Sequence, residues 1–421
     1  MDAWIAGAVF LVVYGLIALD RWDRTLIALF GGLLVVLLGI VDQQQAFAAV
    51  DLNVIFLLVG MMLIASVLAK TGFFEWLAIR SVRLSHGHPI RLLLILSLVT
   101  AVVSAFLDNV TTVVLMTPIT LSVARRLEIS PKPYLLAQVF ASNIGGTATL
   151  IGDPPNILIG SASGLGFDAF LMDLTPAIVM VFLAFALIMV VAFRGSLKVP
   201  SERREAALER TEERAIKDEG LLVRSLAVAG LTIVGFLLHS TLHIEPATVA
   251  LLGATTLMLV ARLNPHELLR EIEWTTIFFF VGLFVLVEAI VKVGIVAGIA
   301  DGLAQATKGD LTTATFGMLW LSAMVSAVID NIPYTATAIP IVQHLIDGGM
   351  EAMPLWWALS LGACLGGNLT IVGASANVVV ANLSAREGYP IGFMEFLRLG
   401  ALVVVSSMAI STVYLWVRYL I

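Results

Sequence analysis

Two short runs hold the residues best equipped for chemistry. One reads Asp108-Asn109-Val110-Thr111-Thr112 and the other Asp330-Asn331-Ile332-Pro333-Tyr334-Thr335. Each interrupts an apolar stretch, about 91–125 and about 313–345. A carboxylate beside a carboxamide can hold a proton, a small cation or a hydroxylated solute. An ionised carboxylate deep in an apolar layer costs at least ~2.5 kcal/mol on insertion scales, so it must face water, a cation or a substrate. An Asp in such a place can also simply cap the helix that follows it, and the two roles are compatible.

A second pair of runs is polar in another way. Asn143-Ile144-Gly145-Gly146-Thr147-Ala148-Thr149-Leu150-Ile151-Gly152-Asp153-Pro154-Pro155-Asn156 matches Cys364-Leu365-Gly366-Gly367-Asn368-Leu369-Thr370-Ile371-Val372-Gly373-Ala374-Ser375-Ala376-Asn377. Gly145, Gly146, Gly152, Gly366, Gly367 and Gly373, with the two prolines, should break an apolar helix and free backbone groups. Thr147, Thr149, Asn156, Asn368, Thr370, Ser375 and Asn377 then supply neutral donors and acceptors. The match is imperfect: Asp153 faces Ala374 and Asn143 faces Cys364. The first half therefore holds two candidate acids and the second half one. Proton coupling falls to Asp108, Asp330 and Asp153, although Asp153 also reads as a turn-former before Pro-Pro.

These runs need elements to hold them, and composition says which. Hydrophobic residues make up 59% of the 421 and charged residues 13%, against roughly 25% charged in a soluble domain. The pattern is an all-α polytopic membrane protein. Spanning-length apolar runs lie near 3–19, 24–41, 52–69, 134–160, 172–193, 222–238, 246–261, 275–291, 356–382 and 399–417. The first lacks a basic n-region and reads as a span rather than a cleaved signal. The charged stretch 196–221, with Arg203, Arg204, Glu205, Glu209, Arg210, Glu212, Glu213, Arg214 and Lys217, reads as a solvated cytoplasmic linker.

Of the 24 Lys and Arg residues, 21 fall in the loops at 20–24, 70–91, 125–133, 194–224, 262–275 and 386–398. By the positive-inside rule these are cytoplasmic. Loops 70–91 and 125–133 then share a side, so 91–125 must be a re-entrant hairpin with Asp108-Asn109 at its tip. Likewise 313–345 is a hairpin from the other face, tipped by Asp330-Asn331. The expectation is about ten transmembrane helices, two re-entrant hairpins and two unwound helices, with both termini outside.

The halves 1–195 and 222–421 match throughout. Asp51 to Gly60 aligns with Glu273 to Gly282, Asp108-Asn109 with Asp330-Asn331, and Pro118 with Pro340, all 222 residues apart; the Gly-rich runs match 221 apart. An odd number of crossings between partners gives them opposite topology, and inverted repeats with broken helices at the midplane mark secondary transporters. Glu288, mid-span at the place of Ser66, reads as a proton relay or as a single acid kept neutral in a helix interface. His239 and His243 have i,i+4 spacing but no third ligand nearby, so no metal site is expected. Nor is there an enzyme's nucleophile with a base at its depth, and the net charge of −6 offers nucleic acid nothing. The single Cys364 excludes a disulfide framework.

Taken together, Asp108-Asn-Val-Thr-Thr, the run 145–156, Asp330-Asn-Ile-Pro and Gly366-Gly-Asn-Leu-Thr resemble the ion transporter superfamily. Within it they look closest to the branch of ArsB-type arsenite permeases, NhaD-type sodium/proton antiporters and P-protein-like permeases. The resemblance covers essentially the whole chain. It implies a scaffold and a transport domain in each half, an elevator-like movement and a homodimer in the cell's inner or plasma membrane. For an arsenite permease it also implies a cytosolic ATPase subunit. The dicarboxylate branch carries Ser-Asn-Thr at the hairpin tips; Asp in the first place here argues against sodium-coupled dicarboxylate uptake. The expected function is proton-coupled efflux of arsenite or antimonite, with H⁺ or Na⁺ as coupling ion and no other cofactor. Na⁺/H⁺ antiport and an organic-anion carrier or channel stand as alternatives.

Overall fold

A computed structural model describes residues 2–19, 21–126, 128–195, 197 and 215–421. The charged residues from Arg203 to Arg214 lie outside the described residues. Among those described, every regular element is helical. Six helices are long and apolar enough to cross a membrane: α1 (Asp2–Leu19), α4 (Leu52–Lys70), α11 (Thr175–Phe193), α12 (Glu219–Leu242), α14 (Trp274–Lys292) and the last, Phe393–Leu415, which a π-turn extends. Shorter helices complete each half. In the first they are α2 (Arg24–Leu37), α3 (Gln43–Ala48), α5 (Phe73–Ser85), α6 (Pro89–Ser104), α7 (Asn109–Arg126), α8 (Lys132–Gly146), α9 (Pro154–Ser163) and α10 (Phe167–Asp173). In the second they are α13 (Pro246–Ala261), α15 (Ile295–Ala306), α16 (Leu311–Ser326), α17 (Asn331–Asp347), α18 (Ala352–Gly366) and α19 (Ser375–Arg386), before the last helix, α20.

Local chemistry sets these boundaries. The Asp51 carboxylate accepts from Asn53 N and Val54 N at 2.9 and 3.1 Å, satisfying orphan amides at the start of α4. Nineteen residues of mean hydropathy 2.6 follow, about 28 Å of helix, matched to a bilayer core of roughly 30 Å. The helix stops before Gly72, whose φ of 83° a side chain would strain. The same stop recurs 222 residues on, where α14 ends before Gly294 at φ 80°.

Helix starts recur with the same offset: 24 and 246, 52 and 274, 73 and 295, 89 and 311, 109 and 331. Packing repeats with them, but crosswise. Helix α2 packs on α14 and α13 packs on α4. At one crossing a Cβ on Gly60 would lie 2.7 Å from Ala250; at the other, a Cβ on Gly282 would lie 2.4 Å from the Ala28 backbone. Small residues let membrane helices approach closely and gain dispersion contacts without a hydrophobic driving force.

The structure departs from the sequence expectation in three places. The stretches 134–160 and 356–382 are not continuous crossings: each is two helices, α8 with α9 and α18 with α19, joined by irregular backbone. The twelfth helix starts at Glu219, inside the stretch assigned to the linker, because Asp218 caps it through Leu221 N at 2.8 Å. Loops 70–91 and 292–312 contain α5 and α15, amphipathic helices whose apolar faces support the hairpin arms α6–α7 and α17.

Candidate functional site

Each apolar stretch carrying Asp-Asn folds back on itself at a four-residue break. Helices α6 and α7 are separated by residues 105–108, and α16 and α17 by 327–330. The second arm of each hairpin lies against the broken helix of the other half, α7 on α19 and α17 on α9. Four chain breaks therefore meet in one polar cluster.

Asp153 is at its centre. It is fully buried and has extended backbone (φ −141°, ψ 131°), and its carboxylate caps no helix. It accepts from Asn109 Nδ2 at 3.1 Å, and from Asn331 Nδ2 at 3.2 and 3.3 Å on its two oxygens. The residue without a repeat partner is thus the one that joins both hairpin tips, and the turn-former reading fails on this wiring. Around it Asn143 Nδ2 donates to Asn368 Oδ1 (2.9 Å) and Asn377 Oδ1 (3.0 Å), while Asn143 Oδ1 accepts from Asn109 (3.0 Å). Asn368 Nδ2 is buried and has no hydrogen-bond partner.

Asp108 and Asp330 take different places. Asp108 Oδ1 accepts from Thr111 N at 2.8 Å and Asp330 Oδ1 from Ile332 N at 3.1 Å, so both cap the hairpin arm that follows. Asp330 Oδ2 also accepts from Arg24 Nη1 at 3.1 Å and from the Ser375 hydroxyl. The aspartates match in sequence and differ in electrostatics.

Several predicted residues hold the breaks rather than line open space. Thr149 donates to the Ala105 carbonyl, and its counterpart Thr370 to that of Ala327, tying each broken helix to the adjacent hairpin bend. Asn156 Nδ2 bridges the Thr147 and Thr149 carbonyls (3.1 and 2.9 Å), and Asn377 Nδ2 those of Gly367 and Thr370 (both 2.8 Å). Thr147 and Thr335 hydroxyls return to carbonyls of their own helices, at Asn143 and Asn331. Thr112 is buried with its hydroxyl unpaired, and Thr111 is half-buried.

The glycines act differently from the expectation. None of Gly145, Gly146, Gly152, Gly366, Gly367 or Gly373 has a left-handed φ. They are required by space: a Cβ on Gly145 would lie 2.1 Å from Ala101 O, and one on Gly366 2.4 Å from Ala323 Cα.

Glu288 stands apart. It is half-buried one turn before Lys292, and among the described residues no hydrogen bond ties it to the cluster. His239 pairs with the Ile244 carbonyl (3.2 Å), and among the described residues no three His, Cys, Asp or Glu are grouped to hold a metal. Sequence reasoning missed Arg24, Tyr14 and Ser360; Ser360 donates to Asn156 Oδ1 at 2.6 Å. Arg24 opens an apolar helix and there counts only as one more positive-inside charge.

Apolar helices broken around a buried acid–amide cluster define a multi-pass membrane transporter rather than an enzyme. The chain belongs to the CitMHS family, described as citrate transporter, which it matches over residues 14–362. It is 46% identical to an uncharacterised transporter of Mycobacterium bovis, covering 99% of both chains. It is 34% identical to the human P protein over 99% of this chain and 60% of that one. Its fold is similar to the crystal structure of the Alcanivorax borkumensis YdaH transporter, with a TM-score of 0.60 at 14% identity, covering 99% and 98% of the two chains.

Proposed function

We infer that this protein is a proton-coupled secondary transporter made of two inverted repeats, moving its solute by alternating access. The observation that carries the reading is the Asp153 carboxylate held between Asn109 of one hairpin and Asn331 of the other. A titratable group there feels both hairpins at once, so proton binding and release can be linked to their movement.

The opposed topology draws support from contacts between distant segments. Lys70–Glu271, Arg125–Glu387, Lys132–Glu395 and Lys217–Glu75 each join two loops that charge counting places in the cytoplasm. Lys292–Gln45, Asn53–Glu245, His344–Asp301 and Arg418–Asp173 each join two segments assigned to the opposite side. None of these pairs mixes the sides.

Amides and hydroxyls lining the cluster suit a small hydroxylated solute such as As(OH)₃ or Sb(OH)₃, the substrate the motifs favour. A second reading, an organic anion, is favoured by the guanidinium of Arg24 at the second hairpin tip and by the description of the matched family. Proteoliposomes with an imposed pH gradient separate them. Arsenite-dependent proton flux supports the first, carboxylate-dependent flux the second, and Na⁺-dependent flux alone makes the protein a Na⁺/H⁺ antiporter. Solute flux that moves no protons overturns the coupling.

A further inference from the structure

The second hairpin is fastened to the outer helices on one side of the molecule only. Arg24, the first residue of α2, donates to Asp330 Oδ2 at 3.1 Å and to the Ser375 hydroxyl, and its guanidinium lies 5.3 Å over the Phe279 ring of α14. One helix earlier, the Tyr14 hydroxyl donates to the Pro333 carbonyl at 2.9 Å and shares a 2.7 Å hydrogen bond with Thr337. Tyr14 is buried and stacks on Phe10 at 4.0 Å. Asp330, Pro333 and Thr337 all belong to the hairpin or its second arm.

Repeat positions reveal how one-sided this is. At the 222-residue offset the counterpart of Tyr14 is Phe236 and that of Arg24 is Pro246; at the 221 offset Ser375 answers to Pro154. Phenylalanine has no hydroxyl and proline no side-chain donor, so Asp108 has no equivalent of Arg24 or Ser375 and is held by its own helix cap. A scaffold built from inverted repeats should have two end states of mirrored geometry. Here polar groups reinforce one of them and not the other.

We propose that Arg24 and Tyr14 form a latch that ties the second hairpin to α1 and α2 in one end state and must open in every transport cycle. This rests on the alternating-access reading above, in which hairpins and broken helices move against α1, α2, α4 and their counterparts. Arg24 is the stronger element: its charge meets a buried carboxylate, and losing one partner leaves the other uncompensated. Tyr14 sets position, because its hydroxyl can reach Pro333 and Thr337 only while α17 lies alongside α1. With no matching groups at Phe236, Pro246 and Pro154, the transporter rests latched, and the state lacking the latch is the minor one.

Two measurements test it. Thr337 lines a surface cavity of about 270 Å³ with Ile299, Leu303 and Tyr334, which gives a small thiol reagent access, whereas the native Cys364 is fully buried. In Tyr14→Cys/Thr337→Cys protein in proteoliposomes, bridging the thiols with a short bis-methanethiosulfonate should abolish solute flux, and reduction should restore it. Flux that continues at the unbridged rate overturns the latch. Without substrate or gradient, the thiol at Thr337→Cys should react on the order of tenfold faster when Arg24→Gln is added, as expected for a shifted two-state population. Arg24→Lys, which keeps the charge, should stay within about twofold of the parent. Equal rates in the Arg24→Gln and parent proteins remove Arg24 from the latch. The thiol assay needs neither solute nor protons, so proton coupling can fail while the latch stands, and the latch can fail while coupling stands.

Discussion

Asn331 Nδ2 reaches both carboxylate oxygens of Asp153, at 3.2 and 3.3 Å, across 178 residues of chain. Asn109 meets the same carboxylate from the other hairpin at 3.1 Å. An acceptor-only group fits among these donors; a carboxamide does not, because its NH₂ would face theirs. Asp153→Asn should therefore remove proton-coupled flux, reducing it on the order of 100-fold. Donors left unsatisfied should cost about 1–3 kcal/mol of stability. Flux in proteoliposomes and thermal unfolding in detergent check both. Proton-driven flux at the parental rate would remove Asp153 from the coupling step.

Asn143 is the bridge between the halves within the cluster. Its amide touches Asn109, Asn368 and Asn377 at 2.9–3.0 Å. Asn143→Ala breaks all three contacts and should cost about 2–4 kcal/mol, since a buried network loses more than one bond at a time. Asn143→Ala and Asn109→Ala should be clearly non-additive, because they share a hydrogen bond. A double-mutant cycle on unfolding midpoints measures this, and additive costs would mean the two side chains act independently.

Much of this was legible before any coordinates. An Asp-Asn pair inside an apolar run is too costly to be incidental, and it marked both hairpin bends to within a few residues. The constant spacing of matching residues revealed the repeat, which recurs in the helix starts. What escaped reading depends on contacts distant in sequence. Asp153 looked like punctuation before Pro154-Pro155, because only the fold brings Asn109 and Asn331 to it. Arg24 and Tyr14 carry no local signal of partners more than 300 residues away. Helices α5 and α15 are amphipathic and short, so hydropathy alone merged them into loops. The glycines were rightly singled out, but for φ freedom they do not use; their function is close approach, which only neighbouring backbone reveals.

That distinction is testable. Gly145→Ala and Gly366→Ala each place a methyl within 2.1–2.4 Å of backbone atoms of Ala101 and Ala323, which cannot rotate away. Each should destabilise by about 1–3 kcal/mol, the usual cost of overpacking. Gly15→Ala in α1 has no neighbour within 4 Å of the new methyl and should be neutral or slightly stabilising, since alanine favours helix. Unfolding in detergent gives the comparison. If Gly145→Ala behaved like Gly15→Ala, helices α6 and α8 would not be in the contact described.

The last prediction concerns the two sides of the membrane. Glu387 meets Arg125 and Glu271 meets Lys70, both between basic loops. Glu245 meets Asn53 and Asp301 meets His344, among the segments poor in Lys and Arg. These are exposed pairs worth at most about 1 kcal/mol each, so replacing one partner by cysteine should leave the fold intact. In whole cells an impermeant thiol reagent should label Glu245→Cys and Asp301→Cys and spare Glu387→Cys and Glu271→Cys; inverted vesicles should show the reverse. Because Asp301 and Glu387 lie at the outer ends of the second hairpin and of α19, the pattern also reports re-entry. A hairpin that crossed fully would place Lys308 and Asp347, at the starts and ends of α16 and α17, on opposite sides. Re-entry places them together, so Lys308→Cys and Asp347→Cys should both label from outside. Labelling of one from each side would replace the hairpin with two crossings and remove Asp330 from the midplane.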